Sequence, residues 1–410
     1  MPLKGFAGLS LEGPPDSRPG TARSERGGDD GDARPGSLSK QASFDVSGTN
    51  TFTADDLRIR GESGVESASD GAQLSAVNFA DLEKVKAIGK GASGRVLLMK
   101  HSRGGDFYAL KEMSAVADQD ARRMAINEIK IAHRHAKACD NLVATLDAYY
   151  NEGKIGILME FCDGGSLVEV LASSRGGLPG LPPLPLGPIV VQMLHGLRYM
   201  HREMKQVHRD LKPANVLVSG SGVVKLSDFG VAKQLSSSDG FAMTQVGSTA
   251  YMSPERMKGE EYTYTSDVWS VGVILLEALL GEHPFPPSKH KSFVALFTAI
   301  SSGDYPPPPA GTEPEVAECV ASCLRLDQQH RPEVDALIAG KWLGAFGNQA
   351  KVRQKVQTWL LTAATAAMKA EAAQAAQAQA AKDEAAQMKA QAKAMAAKAI
   401  ARSEMPGSDE

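Results

Sequence analysis

The chain has 410 residues, 42% of them hydrophobic, and a formal net charge of -3 at pH 7. The length exceeds one ordinary domain, the apolar share is enough for a sizeable core, and the charge balance excludes a nucleic-acid binder that depends on overall positive charge. The four cysteines, Cys139, Cys162, Cys319 and Cys323, lack paired CxxC spacing. With no secretory leader, myristoylation glycine or prenylation cysteine, the sequence predicts an intracellular protein, cytoplasmic or nuclear, without a membrane anchor.

Residues 1–76 are rich in Gly, Ser, Asp, Arg and Pro, carry no sustained apolar period, and read as a disordered tail. Within them Lys4 precedes Leu9 and Leu11. An extended segment would turn both leucines to one side, toward a partner groove; a terminus without a role accounts for them equally well.

Residues 82–160 alternate short β-rich runs and turns around one helical stretch, 119–135. Ile88-Gly89-Lys90-Gly91-Ala92-Ser93-Gly94-Arg95-Val96 sets three glycines where a hairpin brings backbone N–H groups close to phosphates. Tyr108-Ala109-Leu110-Lys111 reads as a strand ending in a lysine. Glu128, in the helical stretch, is the carboxylate expected to pair with it, because Glu112 adjoins Lys111 and points to the opposite face. A solvated lysine and a solvated glutamate are the plain alternatives. Residues 155–165 read as a buried strand running into a turn at Glu160 and Cys162.

Helices follow. One starts at 166–171, and another, amphipathic, spans 189–201. Between them Leu181-Pro182-Pro183-Leu184-Pro185-Leu186 is either a connecting loop or a polyproline ligand. Then comes Val207-His208-Arg209-Asp210-Leu211-Lys212-Pro213-Ala214-Asn215, with Asp228-Phe229-Gly230 shortly after. An aspartate able to take a hydroxyl proton thus lies near a lysine, an asparagine and a second aspartate able to hold metal and phosphate. Phosphoryl transfer needs these groups, since the protein must chiefly position reactants and neutralise charge. A run at 268–280 is the most apolar, yet Glu277 interrupts it and it is shorter than the ~20 residues a membrane span requires, so it predicts a buried helix. Residues 363–399, dominated by Ala, Gln, Lys and Glu without Pro or Gly, predict a long helix.

In order and spacing these segments resemble the eukaryotic protein kinases. Asp163-Gly164-Gly165-Ser166-Leu167, Lys225-Leu226-Ser227-Asp228 and Tyr251-Met252-Ser253-Pro254-Glu255-Arg256-Met257 are similar to the MAP kinase kinase versions. Ser238 and Thr244, with five residues between them, resemble the plant or algal arrangement of activating phosphorylation sites, and the adjacent Ser236 and Ser237 are alternatives for the first. The resemblance implies an α+β bilobal kinase domain over 82–343, between the 1–76 tail and a helical tail at 344–410. It assigns Asp210 and Lys212 to catalysis. Ile88, Gly89, Gly91, Gly94, Val96, Ala109, Lys111, Glu128, Glu160 and Cys162 fall to ATP, and Asn215 and Asp228 to Mg²⁺. It also pairs Glu255 with Arg331 and implies a MAP kinase substrate, met through Lys4, Leu9 and Leu11, and an upstream MAP kinase kinase kinase. A serine/threonine kinase of a neighbouring branch and an inactive kinase-fold scaffold are the alternatives.

Overall fold

The computed structural model describes residues 44–47, 51–54, 57–60, 64–67, 77–91, 94–114, 138–151, 154–176, 178, 181–229, 249–286 and 288–403. Among these, no helix is long and apolar enough to cross a membrane.

Four short strands come first: β1 (Phe44–Ser47), β2 (Thr51–Ala54), β3 (Leu57–Arg60) and β4 (Gly64–Ser67), an antiparallel meander. They fall within residues 1–76, the stretch read above as a tail. Their apolar residues come singly, too sparse for a period along the chain. Pairing supplies the order: Val46 sits opposite Phe52, Phe52 opposite Ile59, and Ile59 opposite Val65, so one apolar file crosses all four strands. Ile59 is buried, and β3 and β4 lie against the strand Thr145–Asn151 of the next sheet.

That sheet has five antiparallel strands in the order β5-β6-β7-β9-β8: β5 (Leu82–Gly91), β6 (Gly94–His101), β7 (Phe107–Ser114), β8 (Thr145–Asn151) and β9 (Lys154–Glu160). In β6 the consecutive residues Leu97, Leu98 and Met99 are all buried, so both faces of the strand are covered. Leu97, Met99, Leu110, Tyr149 and Leu158 form the small core of this lobe.

The second lobe is helical. Helix α1 (Leu167–Arg175) begins with a capping box between Ser166 and Glu169, and α2 (Leu186–Arg202) buries most of its length. Next come α3 (Pro254–Lys258) and α4 (Thr265–Leu280), then α5 (Phe293–Ser302), α6 (Pro314–Cys323) and α7 (Val334–Ile338). Helix α4 is buried continuously from Thr265 to Glu277, as its all-round apolar sequence requires. A two-stranded antiparallel ribbon, β10 (Val216–Val218) and β11 (Val224–Leu226), lies at the junction of the lobes. Leu181, Leu184 and Leu186 pack against the core, which makes the proline-rich stretch a fixed connection instead of a free polyproline ligand.

Helix α8 (Gln349–Ser403) runs 55 residues without interruption, starting well before the alanine-rich composition that predicted a helix. Its first turns place Val352, Val356, Trp359, Leu360, Ala363 and Ala364 in the main core, at spacings of three and four that make one apolar stripe.

Candidate active site

The site is built where the ends of β7, β10 and β11 meet the loop after α2. That loop has an unusual support. Asp267, in the first turn of α4, is buried; its carboxylate accepts from the backbone N–H of His208 at 2.8 Å and of Arg209 at 3.1 Å, and contacts His201 Nε2 at 2.8 Å. Burial alone would raise the Asp267 carboxyl, but these bonds and the neighbouring histidines hold it below its ordinary value. Arg209 is left-handed, with φ of 70°, a conformation that costs a non-glycine residue about 1–3 kcal/mol. The Asp267 carboxylate and Arg256, whose Nη1 donates to Arg209 O at 2.5 Å, hold the turn in that shape. His208, fully enclosed, is pushed toward the neutral form by burial.

Past this turn Asp210 faces the opening, 41% exposed. Its Oδ2 accepts from Lys212 Nζ at 2.8 Å and from Asn215 Nδ2 at 3.0 Å. Asn215 is buried, and Nδ2 also donates to Asp210 O at 2.7 Å, so its amide nitrogen end is committed to Asp210 and its Oδ1 is the end left for a further ligand. The carbonyl of Asn215 accepts from Ser227 N at 2.9 Å, which ties the loop to the residue before Asp228. Asp228 is itself left-handed, with φ of 60°. Its Oδ1 meets Lys111 Nζ at 2.5 Å, a contact between residues 117 positions apart. Phe229 is buried, and its carbonyl accepts from Gln206 Nε2 at 2.8 Å.

Register explains the arrival of Lys111. In β7, Ala109 and Lys111 lie two apart on one face, and β6 sets Val96 opposite Lys111, so the three share that face. Lys111 is buried, whereas Glu112 lies on the other face, as the sequence predicts, and pairs there with Arg95. Gly89 pairs with Val96, beside Ile88, which is exposed. Gly91 pairs with Gly94 at the β5–β6 turn, where Gly94 has φ of 135° and an added Cβ would fall 2.0 Å from Glu112 O. Only glycine fits there.

At the far side of the cleft Glu160 ends β9, its Oε1 accepting from Ala144 N at 2.7 Å and from Lys225 at 2.9 Å. Cys162 is buried; burial first, then the Glu160 carboxylate, push its thiol up to about 12, so it packs and does not react. Gly164 N donates to Val218 O at 2.9 Å, which fastens this turn to β10.

Away from the cleft, Arg331 grips Glu255 through two bonds of 2.7 and 2.6 Å, with both side chains buried. Ser266 Oγ adds a third bond at 2.6 Å, and Trp269 stacks over the guanidinium. Burial would raise Glu255, yet the Arg331 and Ser266 bonds bring it down to about 2.

The five predicted polar residues therefore fall into two sets, Asp210 with Lys212 and Asn215, and Lys111 with Asp228, tied by the backbone bond from Ser227 to Asn215. Asn215 Oδ1 and the carboxylates of Asp210 and Asp228 are hard oxygen donors, the type Mg²⁺ prefers, so the residues present fit that ion. Glu128, Ser238, Thr244, Lys4, Leu9 and Leu11 lie outside the described residues. Asp267 was not picked out as a functional residue; the available signal was a lone acid in the first turn of the most apolar helix.

The Protein kinase domain family matches residues 82–343. Mitogen-activated protein kinase kinase 2 of Arabidopsis thaliana is 37% identical over 66% of this chain and 74% of its own length. Mitogen-activated protein kinase kinase 1 of the same plant is 36% identical over 73% of this chain and 86% of its own. The moss Physcomitrium patens has a similar protein, mitogen-activated protein kinase kinase 1c, at 34% over 69% and 82%.

Proposed function

Because the chain belongs to the mitogen-activated protein kinase kinase family of protein kinases, we propose that it phosphorylates both a threonine and a tyrosine in the activation loop of a MAP kinase. The observation that carries the mechanism is the pairing of Asp210 with Lys212 and Asn215 and of Asp228 with Lys111, the two sets tied through the Ser227–Asn215 backbone bond. The substrate hydroxyl oxygen attacks the γ-phosphorus of ATP, the bond to ADP breaks, and the hydroxyl proton passes to the Asp210 carboxylate. Lys212, already beside that carboxylate, offsets charge on the phosphoryl in transit. Lys111 grips the inner phosphates, with Glu128 as its further partner. The backbone from Gly89 to Gly94 covers the phosphates; Ile88, Val96 and Ala109 enclose the adenine, and the turn from Glu160 to Cys162 reads its edge. Asn215 and Asp228 would hold Mg²⁺, which when bound neutralises phosphate oxygens.

In this reading an upstream MAP kinase kinase kinase switches the protein on by phosphorylating Ser238 and Thr244, and Lys4, Leu9 and Leu11 dock the MAP kinase in the cytoplasm. Arg209 Nε supports the switch: it is buried with no hydrogen-bond partner among the described residues, ready to receive a phosphate oxygen. The inactive-scaffold reading is disfavoured, since all five polar residues are present and connected.

The test is phosphorylation of a panel of catalytically dead MAP kinases by the Ser238→Glu, Thr244→Glu protein, with sites mapped by mass spectrometry. Label on both the threonine and the tyrosine of one activation loop is expected. Label only on serine or threonine elsewhere would move the protein to a neighbouring branch of kinases.

A further inference from the structure

The start of α8 touches several of the places where the two lobes are fastened together. Arg353 Nη2 meets Asp140 at 2.8 Å. Asp140 precedes Asn141, Leu142 and Val143, which dock on β11: Leu226 N donates to Asn141 O, Val143 N donates to Leu226 O, and Asn141 Nδ2 donates to Val224 O. About two turns on, Leu360 lies against Gly164 of the inter-lobe turn, its Cδ1 3.3 Å from where a Cβ would stand, and Trp359 Nε1 donates to Pro182 O at 2.9 Å. Between these contacts the helix backbone receives the tip of the β10–β11 ribbon. Gly222, with φ of 82°, approaches so closely that a Cβ would fall 2.1 Å from Arg353 O and 2.7 Å from Gln357 N.

That ribbon is the piece that carries the metal-site residues. Asn215 immediately precedes β10, and Asp228 follows β11 by two residues. Helix α8 therefore holds the ribbon by its tip while its opposite end presents Asn215 and Asp228, and it holds the adenine-side turn through Gly164. We infer that the first five turns of α8 are a brace that positions the nucleotide site, with Gly222, Arg353 and Leu360 as positioning residues. The inference rests on the nucleotide reading of that site. A helix that also contributes to the core would be expected to affect stability alone; contact with both sides of the cleft predicts a separate effect on nucleotide affinity.

Gly222→Ala tests this in the full chain, because the new methyl group must push α8 away. Gly311→Ala is the matched control: Gly311 has φ of 90°, so the substitution imposes a similar left-handed strain, but nothing lies within 4 Å of its added Cβ. Affinity for Mg·ATP is measured by calorimetry on the folded proteins, alongside melting temperature and KM for the protein substrate. Gly222→Ala is expected to weaken Mg·ATP binding about tenfold, or 1.4 kcal/mol, with KM for the protein substrate within about twofold of wild type. Gly311→Ala is expected to lower the melting temperature while leaving Mg·ATP affinity within about twofold. Leu360→Ala, which removes the contact with Gly164 without clash or backbone strain, should weaken Mg·ATP in the same direction and decides the matter if Gly222→Ala does not fold. Wild-type affinity in the folded Gly222→Ala or Leu360→Ala protein would overturn the brace alone. A wild-type chain that binds no Mg·ATP would overturn the nucleotide reading and the brace with it.

Discussion

Two sets of ionic contacts in this molecule are built from the same chemistry and do opposite things. Glu255 and Arg331 are buried, doubly bonded to each other and saturated by Ser266 and Trp269. Asp210 with Lys212, and Asp228 with Lys111, are joined through one oxygen each, and both aspartates are over a third exposed. A saturated pair has no capacity for a ligand and holds the fold. A pair with oxygen lone pairs still facing an opening can accept a proton or a cation. The difference lies in the unfilled coordination, since the distances are similar.

The largest expected effect breaks the open set. Asp210→Asn removes the proton acceptor, and phosphorylation of a MAP kinase should fall by about 10²–10⁴-fold in kcat with little change in melting temperature. Near-normal turnover would remove Asp210 from the mechanism. Breaking the closed set should do the reverse. Arg331→Met leaves the Glu255 carboxylate buried without its partner, at a cost of about 3–5 kcal/mol, a drop on the order of 10 °C in melting temperature by calorimetry. Activity per folded molecule, measured well below that temperature, should survive.

Acid sharpens the contrast. The folded Glu255 carboxyl lies at about 2, below its ordinary 4.5. A depressed carboxyl contributes stability that is fully present above its unfolded value and is lost as pH falls through the folded one. Denaturant melts should therefore show this contribution disappearing between about pH 4.5 and pH 2, and Arg331→Met should flatten that leg of the curve. The smallest effect is expected at Cys162, which lies beside the cleft but is buried with its thiol raised. Maleimide labelling at pH 8 should spare it, and Cys162→Ala should alter KM for ATP by less than about threefold, because contact there is through the backbone. Rapid labelling would show the turn to be more open than described.

The cleft was legible in the sequence because its residues sit in contiguous runs, with Asp210, Lys212 and Asn215 within six positions and Asp228 soon after. Strand alternation was enough to separate Lys111 from Glu112. Other features left no such trace. Asp267 acts by accepting backbone N–H groups from a loop 58 and 59 residues away, and an acceptor of backbone bonds demands nothing of the partner's side chains. The meander of β1 to β4 depends on register between strands, which no single run displays. The docking of the start of α8 into the core left no trace either, because Val352, Val356 and Trp359 lie in a stretch of ordinary composition, ahead of the alanines.

That last point bears on solubility. The match to the kinase family stops at residue 343, six positions before α8 begins. A chain trimmed there would lose Val352, Val356, Trp359 and Leu360, and would lay bare the apolar surface of α1, α2 and the Leu181–Leu184 connection that they cover. Exposed apolar patches of this kind drive association between molecules. The shortest well-behaved kinase from this sequence should accordingly extend through about Ala366, the last buried position of the helix among the described side chains.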